Sequence, residues 1–385
     1  MSMEGRFRKA AVRVRTPALL LDEKVLADNL LTLARVKKAT GAKILLALKA
    51  FSEYSVFPQI ARVLDGVCAS GLFEAKLGRE QFGKEVHTFA PAFDEHDFAE
   101  IARLSDRIVF NSFEQFRRFK RAARGRKIGI RVNPEVILPD AKYEAYNPCS
   151  PDSRLGTRAS DFDEKLFSEM SGLHFHALCE QGADALELSL KAFEKRFARC
   201  IRKVEWVNFG GGHWITARGY DIAKLIRLIN DFKKRHPNIR EVYLEPGEAV
   251  VLNAGIFVAR ILEILKNGNV LMNASVEAHF PDVLITRREK CPYVPEILGA
   301  DPRGRYRYII GGVSCAAGDS LGVYRFKKPL KAGDKLVFLD AAHYSLVKMN
   351  TFNGINLPLL GIIKRDGSVK IIRRFGYKDY LARLS

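Results

Sequence analysis

The chain has 385 residues and 63 Lys+Arg against 44 Asp+Glu, a formal charge of +19. Its composition, 47% apolar and 28% charged, excludes a disordered chain and leaves room for two or three domains of roughly 100–200 residues each. No run approaches the ~20 uninterrupted apolar residues of a membrane span, and the basic start MSMEGRFRKAAVRVRTP lacks the apolar core of a secretory signal.

Six cysteines, at 68, 149, 179, 200, 291 and 315, form neither CxxC pairs nor a disulfide scaffold. Reduced thiols in a cytoplasm are the expectation. The positive field favours anionic partners. Its densest run, Arg117 to Arg131 (RRFKRAARGRKIGIR), reads as a solvated helix face followed by a strand. Without aromatic interleaving or a nucleic-acid motif, no nucleic-acid partner is expected.

In chain order, TPALLLD (16–22) is a strand that precedes an amphipathic helix in which Leu26, Leu30 and Leu33 share a face. Short apolar runs then recur at Ile44–Leu48, Gly66–Ala69, Val86–Ala90, Ile108–Phe110, Ile128–Val132, Leu173–Ala177, Val204–Phe209 and Val242–Leu244. Eight short strands alternating with helical stretches predict an α/β fold, a parallel (β/α)8 barrel over residues 23–255. The turn-rich NPCSPDSRLG (147–156) is expected as a loop over one end of it. From 256 to 385 the long helices stop. RYRYIIGG (305–312) and DKLVFLD (334–340) read as strands, and Asp366-Gly367 in LGIIKRDGSVKIIRR reads as a hairpin turn. This is a second, all-β domain, joined by the strand within 1–22.

Reactive residue types fall where the barrel strands end: Lys49, Ser70, Asn111, Asn133, His176, Gly210–Gly212 and Glu245. That end of a parallel barrel is where active sites are built. Position alone leaves Lys49 open between a surface lysine and one that forms a Schiff base with a carbonyl cofactor. Gly210, Gly211 and Gly212 either present amides to a phosphate or make a tight turn. His174 and His176 face one side of a strand, as packing, as a ring over a planar cofactor, or as a metal pair; no further ligands have metal spacing, so no metal is expected. Glu245 and Glu248 put two carboxylates at a strand end, where an ion-pair role is the alternative.

The ordered motifs ALKAF, HFHALCEQ, NFGGG, EPGEA, GVSCAAGD and AAHY…TFNG resemble the fold-type III pyridoxal-phosphate decarboxylases, the alanine-racemase-like group that contains ornithine and diaminopimelate decarboxylases. HALCEQ, CSPDSRLG, EPGEA and AHFPDVL look like the branch acting on carboxynorspermidine and carboxyspermidine in polyamine biosynthesis. The resemblance implies that pyridoxal 5'-phosphate binds with Lys49 on its aldehyde, His176 on its ring, Glu245 on its ring nitrogen, and Gly210, Gly211, Gly212, Gly247 and Tyr344 on its phosphate. It further implies a homodimer in which Cys315, the proton donor, and Asp319, a substrate ligand, reach across the interface, with Arg154 near that acid. Glu248 and Asp282 would bind a polyamine-like substrate. Two departures stand out: Glu248 replaces an arginine that relatives place on the phosphate, and Cys179 replaces a serine. The alternatives are diaminopimelate decarboxylation, for which Arg287 and Arg288 offer a distal cation, and a non-catalytic regulator of the same fold.

Overall fold

A computed structural model describes residues 2–138, 146–289 and 292–385. Cys291 lies outside them. The chain divides into two compact units, Asn29–Val250 and a second built from Met1–Asp28 with Val251–Ser385. Strand β1 (Ala18–Asp22) belongs to the second unit. Strands β2 (Lys43–Ala47), β3 (Gly66–Ala69), β4 (Glu85–Phe89), β5 (Arg107–Phe110), β6 (Lys127–Arg131), β7 (Gly172–His174), β8 (Trp206–Asn208) and β9 (Glu241–Leu244) close an eight-stranded barrel in sequence order. Every neighbouring pair is parallel, including the closure of β9 on β2.

The expected fold class is therefore the observed one. Six of the strands match their apolar runs to within one residue at each end, whereas β7 and β8 are shorter than theirs and stop at His174 and Asn208. Leu48 to Ala50 form a turn directly after β2. Helix 23–40 buries Leu26, Leu30 and Leu33 as its periodicity predicts.

The barrel's N-terminal end is sealed by charge. Lys43 lies 2.5 Å from Glu85 and 2.7 Å from Glu241, while the Arg107 guanidinium takes the other oxygens of both carboxylates at 2.7 and 2.5 Å. Arg107 also stacks 4.8 Å from the Tyr243 ring centroid. Burial pushes Glu241 up, but these cations and the Tyr243 hydroxyl hold it at about 2. Above this plug Trp206 fills the barrel, and Gly129 and Gly172 make the room. A Cβ on Gly172 would lie 1.9 Å from the Trp206 ring.

The second unit is a sheet ordered β13-β12-β11-β10-β1-β15-β16, with β14 paired to β10. Its strands are β10 (Gly255–Ile264), β11 (Asn269–Met272), β12 (Tyr306–Gly311), β13 (Ser320–Phe326), β14 (Lys335–Phe338), β15 (Leu359–Ile363) and β16 (Val369–Arg373). Strand β1 inserts between β10 and β15. The Asp366-Gly367 hairpin forms with Gly367 at φ 83°. The unit is not wholly β: helices Met3–Val12 and Tyr377–Leu384 accompany the sheet, and Arg6 of the first is buried against Asp22 at 2.9 Å.

No helix among the described residues is long and apolar enough to cross a membrane.

Candidate active site

At the C-terminal end of the barrel, β7 and β8 each turn their last side chain onto one carboxylate. Glu245 follows β9 and is buried. Asn208, the last residue of β8, donates its amide to one oxygen at 2.7 Å, and His174, the last residue of β7, sits 3.2 Å from the other. Burial pushes the Glu245 carboxyl up; His174, through charge and hydrogen bond, then His87 and Asn208, outweigh it and hold it at about 2. A full negative charge is thus fixed inside the barrel mouth.

His176 is the second fixed group. Its Nδ1 accepts the Gly211 amide at 3.0 Å, which leaves the ring proton on Nε2. Burial, then the nearby Lys49 and Arg131 charges, pushes its pKa well below the ordinary histidine value. The ring is therefore neutral and pinned by its edge to the glycine turn.

That turn needs its glycines. Gly210 and Gly212 have φ of 71° and 79°, a region disfavoured for residues with a Cβ. A Cβ on Gly212 would lie 2.0 Å from the Leu178 carbonyl oxygen, and one on Gly247 would lie 2.5 Å from the Ala50 Cβ. The resemblance assigns all four glycines to a phosphate, but two of the amides are spent within the protein. Gly210 donates to Asn208 Oδ1 at 2.8 Å and Gly211 to His176. Among the described residues, the amides of Gly212 and Gly247 have no acceptor.

Lys49 is exposed between buried Leu48 and Ala50. It ends its apolar run rather than sitting inside it, so the difficulty of burying an ammonium does not arise. Its charge acts on His174 and His176, on Cys68 in β3 and on Glu74 in the helix after it. Glu248 is buried at the start of the short helix Glu248–Val251. Arg154 is exposed, and its carbonyl accepts from Asn111 at 2.9 Å.

Arg131 is the residue that the sequence reading missed. Placed in the strand that closes the cationic run but given no role, it is buried inside the barrel, 4.7 Å from the Phe89 ring centroid, and donates to the His176 carbonyl at 3.3 Å. Burial lowers it to about 10. Strand alternation was the available signal: Arg131 ends β6 as His174 ends β7.

The sheet unit carries the other named residues. Asp319 is buried, with one oxygen on the Val276 amide at 2.5 Å and the other on the Ser314 amide at 2.8 Å. It therefore shapes the 312–319 loop, whose Gly312 leaves only 2.3 Å between a would-be Cβ and Asp319 Oδ2. Cys315 is exposed on that loop and its amide donates to Asn353 at 2.8 Å. Tyr344 holds φ 46°, a left-handed conformation costly for a non-glycine residue and a mark of functional segments. Asp282 is paired with Lys348 at 2.5 Å.

The family model described as "Pyridoxal-dependent decarboxylase, C-terminal sheet domain", from the ornithine/diaminopimelate/arginine decarboxylase group, matches residues 63–342. The chain belongs to the pyridoxal-dependent decarboxylases. Among its decarboxylase relatives, a carboxynorspermidine/carboxyspermidine decarboxylase of Campylobacter jejuni is 44% identical, over 96% of this chain and 99% of its own. A carboxyaminopropylagmatine decarboxylase of Synechocystis is 38% identical, over 96% and 95%. The crystal structure of Campylobacter jejuni carboxynorspermidine decarboxylase complexed with norspermidine aligns with a TM-score of 0.88 at 42% identity, covering 96% of this chain and 100% of that one.

The barrel residues fit pyridoxal phosphate. Two unpartnered glycine amides suit a phosphate, an ionised buried carboxylate suits a protonated ring nitrogen, and a lysine stands clear at a strand end. Lys49 would hold the aldehyde, Gly212 and Gly247 the phosphate, Glu245 the ring nitrogen and His176 a ring face. Bound there, the cofactor supplies an electron sink for the electron pair left behind when CO₂ departs.

Proposed function

We propose that this decarboxylase removes the carboxylate of carboxynorspermidine or carboxyspermidine, releasing CO₂ and norspermidine or spermidine. The observation that carries the reading is the near full-length likeness to the Campylobacter jejuni enzyme of that name. The site chemistry agrees with it. Glu245, ionised and oriented by His174 and Asn208, keeps a ring nitrogen protonated. Neutral His176 places no second charge against the ring. Cys315 delivers the proton that takes the place of CO₂ on carbon. Glu248, Asp282 and Asp319 are the acids that meet the substrate's ammonium groups, which would otherwise lose solvation without compensation. Arg154 lies near Asp319 in the assembled enzyme.

The working unit is inferred to be a homodimer in which Cys315 and Asp319 of one subunit, with Tyr344 on the phosphate, complete a barrel site of the pair. Its place is the cytoplasm, where the thiols of Cys68, Cys149, Cys179, Cys200 and Cys315, none of them in a disulfide, stay reduced.

Diaminopimelate would need a cation for its distal carboxylate. Arg287 is a poor candidate, because its guanidinium donates to the Gly318 and Ser320 carbonyls at 2.9 and 3.0 Å. The Synechocystis relative favours a second reading, carboxyaminopropylagmatine, which also bears a carboxylated aminopropyl head. Chromatography of the amine formed from each of the three substrates tests the reading: norspermidine or spermidine is expected, and loss of product in Lys49→Ala ties it to the barrel site.

A further inference from the structure

Helix Pro281–Ile285 places Asp282 in its first turn, and the segment after β14 brings Lys348 to it. Lys348 Nζ lies 2.5 Å from Asp282 Oδ1 and 4.8 Å from the centroid of the Tyr344 ring. Both side chains are partly open to solvent, 28% for Lys348 and 21% for Asp282. All three residues belong to the sheet unit.

A carboxylate on one side and an aromatic face on the other make a site for an alkylammonium ion. Here the occupant is the end of a lysine, a primary ammonium on an unbranched alkyl chain. The terminal amine of a polyamine is the same group on nearly the same stem. A part-exposed ion pair is weak, and the flexible lysine stem allows its head to move away without dragging backbone. Tyr344, held at φ 46°, contributes its ring from a constrained backbone.

We propose that Lys348 is an internal stand-in for the substrate's terminal ammonium: the incoming amine displaces Lys348 from Asp282 and the Tyr344 face, so Lys348 sets the affinity for polyamine-headed substrates. The inference rests on the function proposed above and adds to it a specificity-determining residue. Lys348 competes with the substrate and lowers its apparent affinity, and it also keeps Asp282 neutralised when no amine is present.

The test is steady-state kinetics of the holoenzyme with carboxynorspermidine and carboxyspermidine, with thermal melting alongside. Lys348→Met keeps the stem and removes the charge. It should lower KM up to about fivefold, the scale of a part-exposed ion pair, with kcat unchanged. Norspermidine should become a correspondingly stronger competitive inhibitor. Lys348→Arg retains a cation and should keep a near-normal KM. Asp282→Asn should raise KM, and in that background Lys348→Met should bring no fall in KM. A Lys348→Met enzyme whose KM rises or stays the same, with or without a lower Tm, overturns the inference and leaves the pair a structural brace, even while wild type decarboxylates the polyamine substrates. Failure of wild type to decarboxylate any carboxylated polyamine, with diaminopimelate turned over instead, overturns the proposed function and this inference together.

Discussion

His174 Nε2 sits 3.2 Å from Glu245 Oε2, and both residues are buried inside the barrel mouth. One strand end thus orients the carboxylate carried by another, with Asn208 from the strand between them holding its second oxygen. This arrangement puts the charge, not merely the residue, in place. Glu245→Gln should keep the carboxylate's shape and lose its charge, lowering kcat by about 100-fold or more, the scale of losing a preorganised electrostatic partner. Steady-state kinetics with a check that the cofactor's visible absorbance persists would measure it. An enzyme with near-normal kcat would show that the charge is dispensable.

Acid should destabilise the fold in two stages. Burial lowers His213 and His279 to about 4 from the ordinary 6.5. The unfolded chain takes up protons below 6.5 that the folded chain refuses, so their contribution is full above that pH and is lost as pH falls toward 4. Glu245 and Glu241, held at about 2 against an ordinary 4.5, contribute stability that is full above 4.5 and is lost as pH falls through 2. Glu53, pushed up by burial to about 7, works the other way and gains stability as pH falls from 7 toward 4.5. The buried His176, also well below 6.5, adds to His213 and His279. In thermal melts Tm should therefore change little from pH 8 to about 6.5 and show a net fall of several degrees toward pH 4. A Tm unchanged between pH 6.5 and pH 4.5 would contradict the buried-neutral histidines.

Much of this barrel was legible because its period is simple. Eight short β-branched or aromatic runs separated by helical stretches leave few other folds, and strand ends pointed to Lys49, His176 and Glu245. Arg131 escaped because the cationic run was read for its helix face, and alternation along the strand that follows, which turns the last residue of β6 inward, was not applied to it. The hydrogen-bond economy of the glycine turn was also out of reach. Which amides of Gly210, Gly211, Gly212 and Gly247 stay available depends on where Asn208 and His176 point, and this follows from packing between strands distant in sequence. The same holds for Asp282, whose pairing with Lys348 spans 66 positions.

A shared site predicts complementation. On the proposed roles, Lys49→Ala loses the cofactor lysine and Cys315→Ala the proton donor, so each should be nearly inactive. Dissociated, mixed and reassociated, they should recover about a quarter of wild-type activity, since half the dimers would carry one intact site of two. Activity assays paired with native mass spectrometry check this. Heterodimers formed without recovered activity would place both residues in one subunit's site.

Glu248 is buried, at the position where the resemblance expects a phosphate-binding arginine. If it meets a substrate amine, Glu248→Gln should raise KM about tenfold, the equivalent of losing a charge-assisted hydrogen bond of ~1.5–3 kcal/mol. The cofactor's absorbance and its release rate should stay nearly normal. A weakened hold on the cofactor with unchanged KM would instead assign Glu248 to the phosphate loop.

The most direct test of the account is a competition for one holoenzyme preparation among carboxynorspermidine, carboxyspermidine, meso-diaminopimelate and ornithine, read as CO₂ release and expressed as kcat/KM. A pocket whose acids await ammonium groups should favour the two polyamine substrates by about 100-fold or more over a substrate ending in a second carboxylate. A kcat/KM for meso-diaminopimelate equal to or above theirs would contradict it.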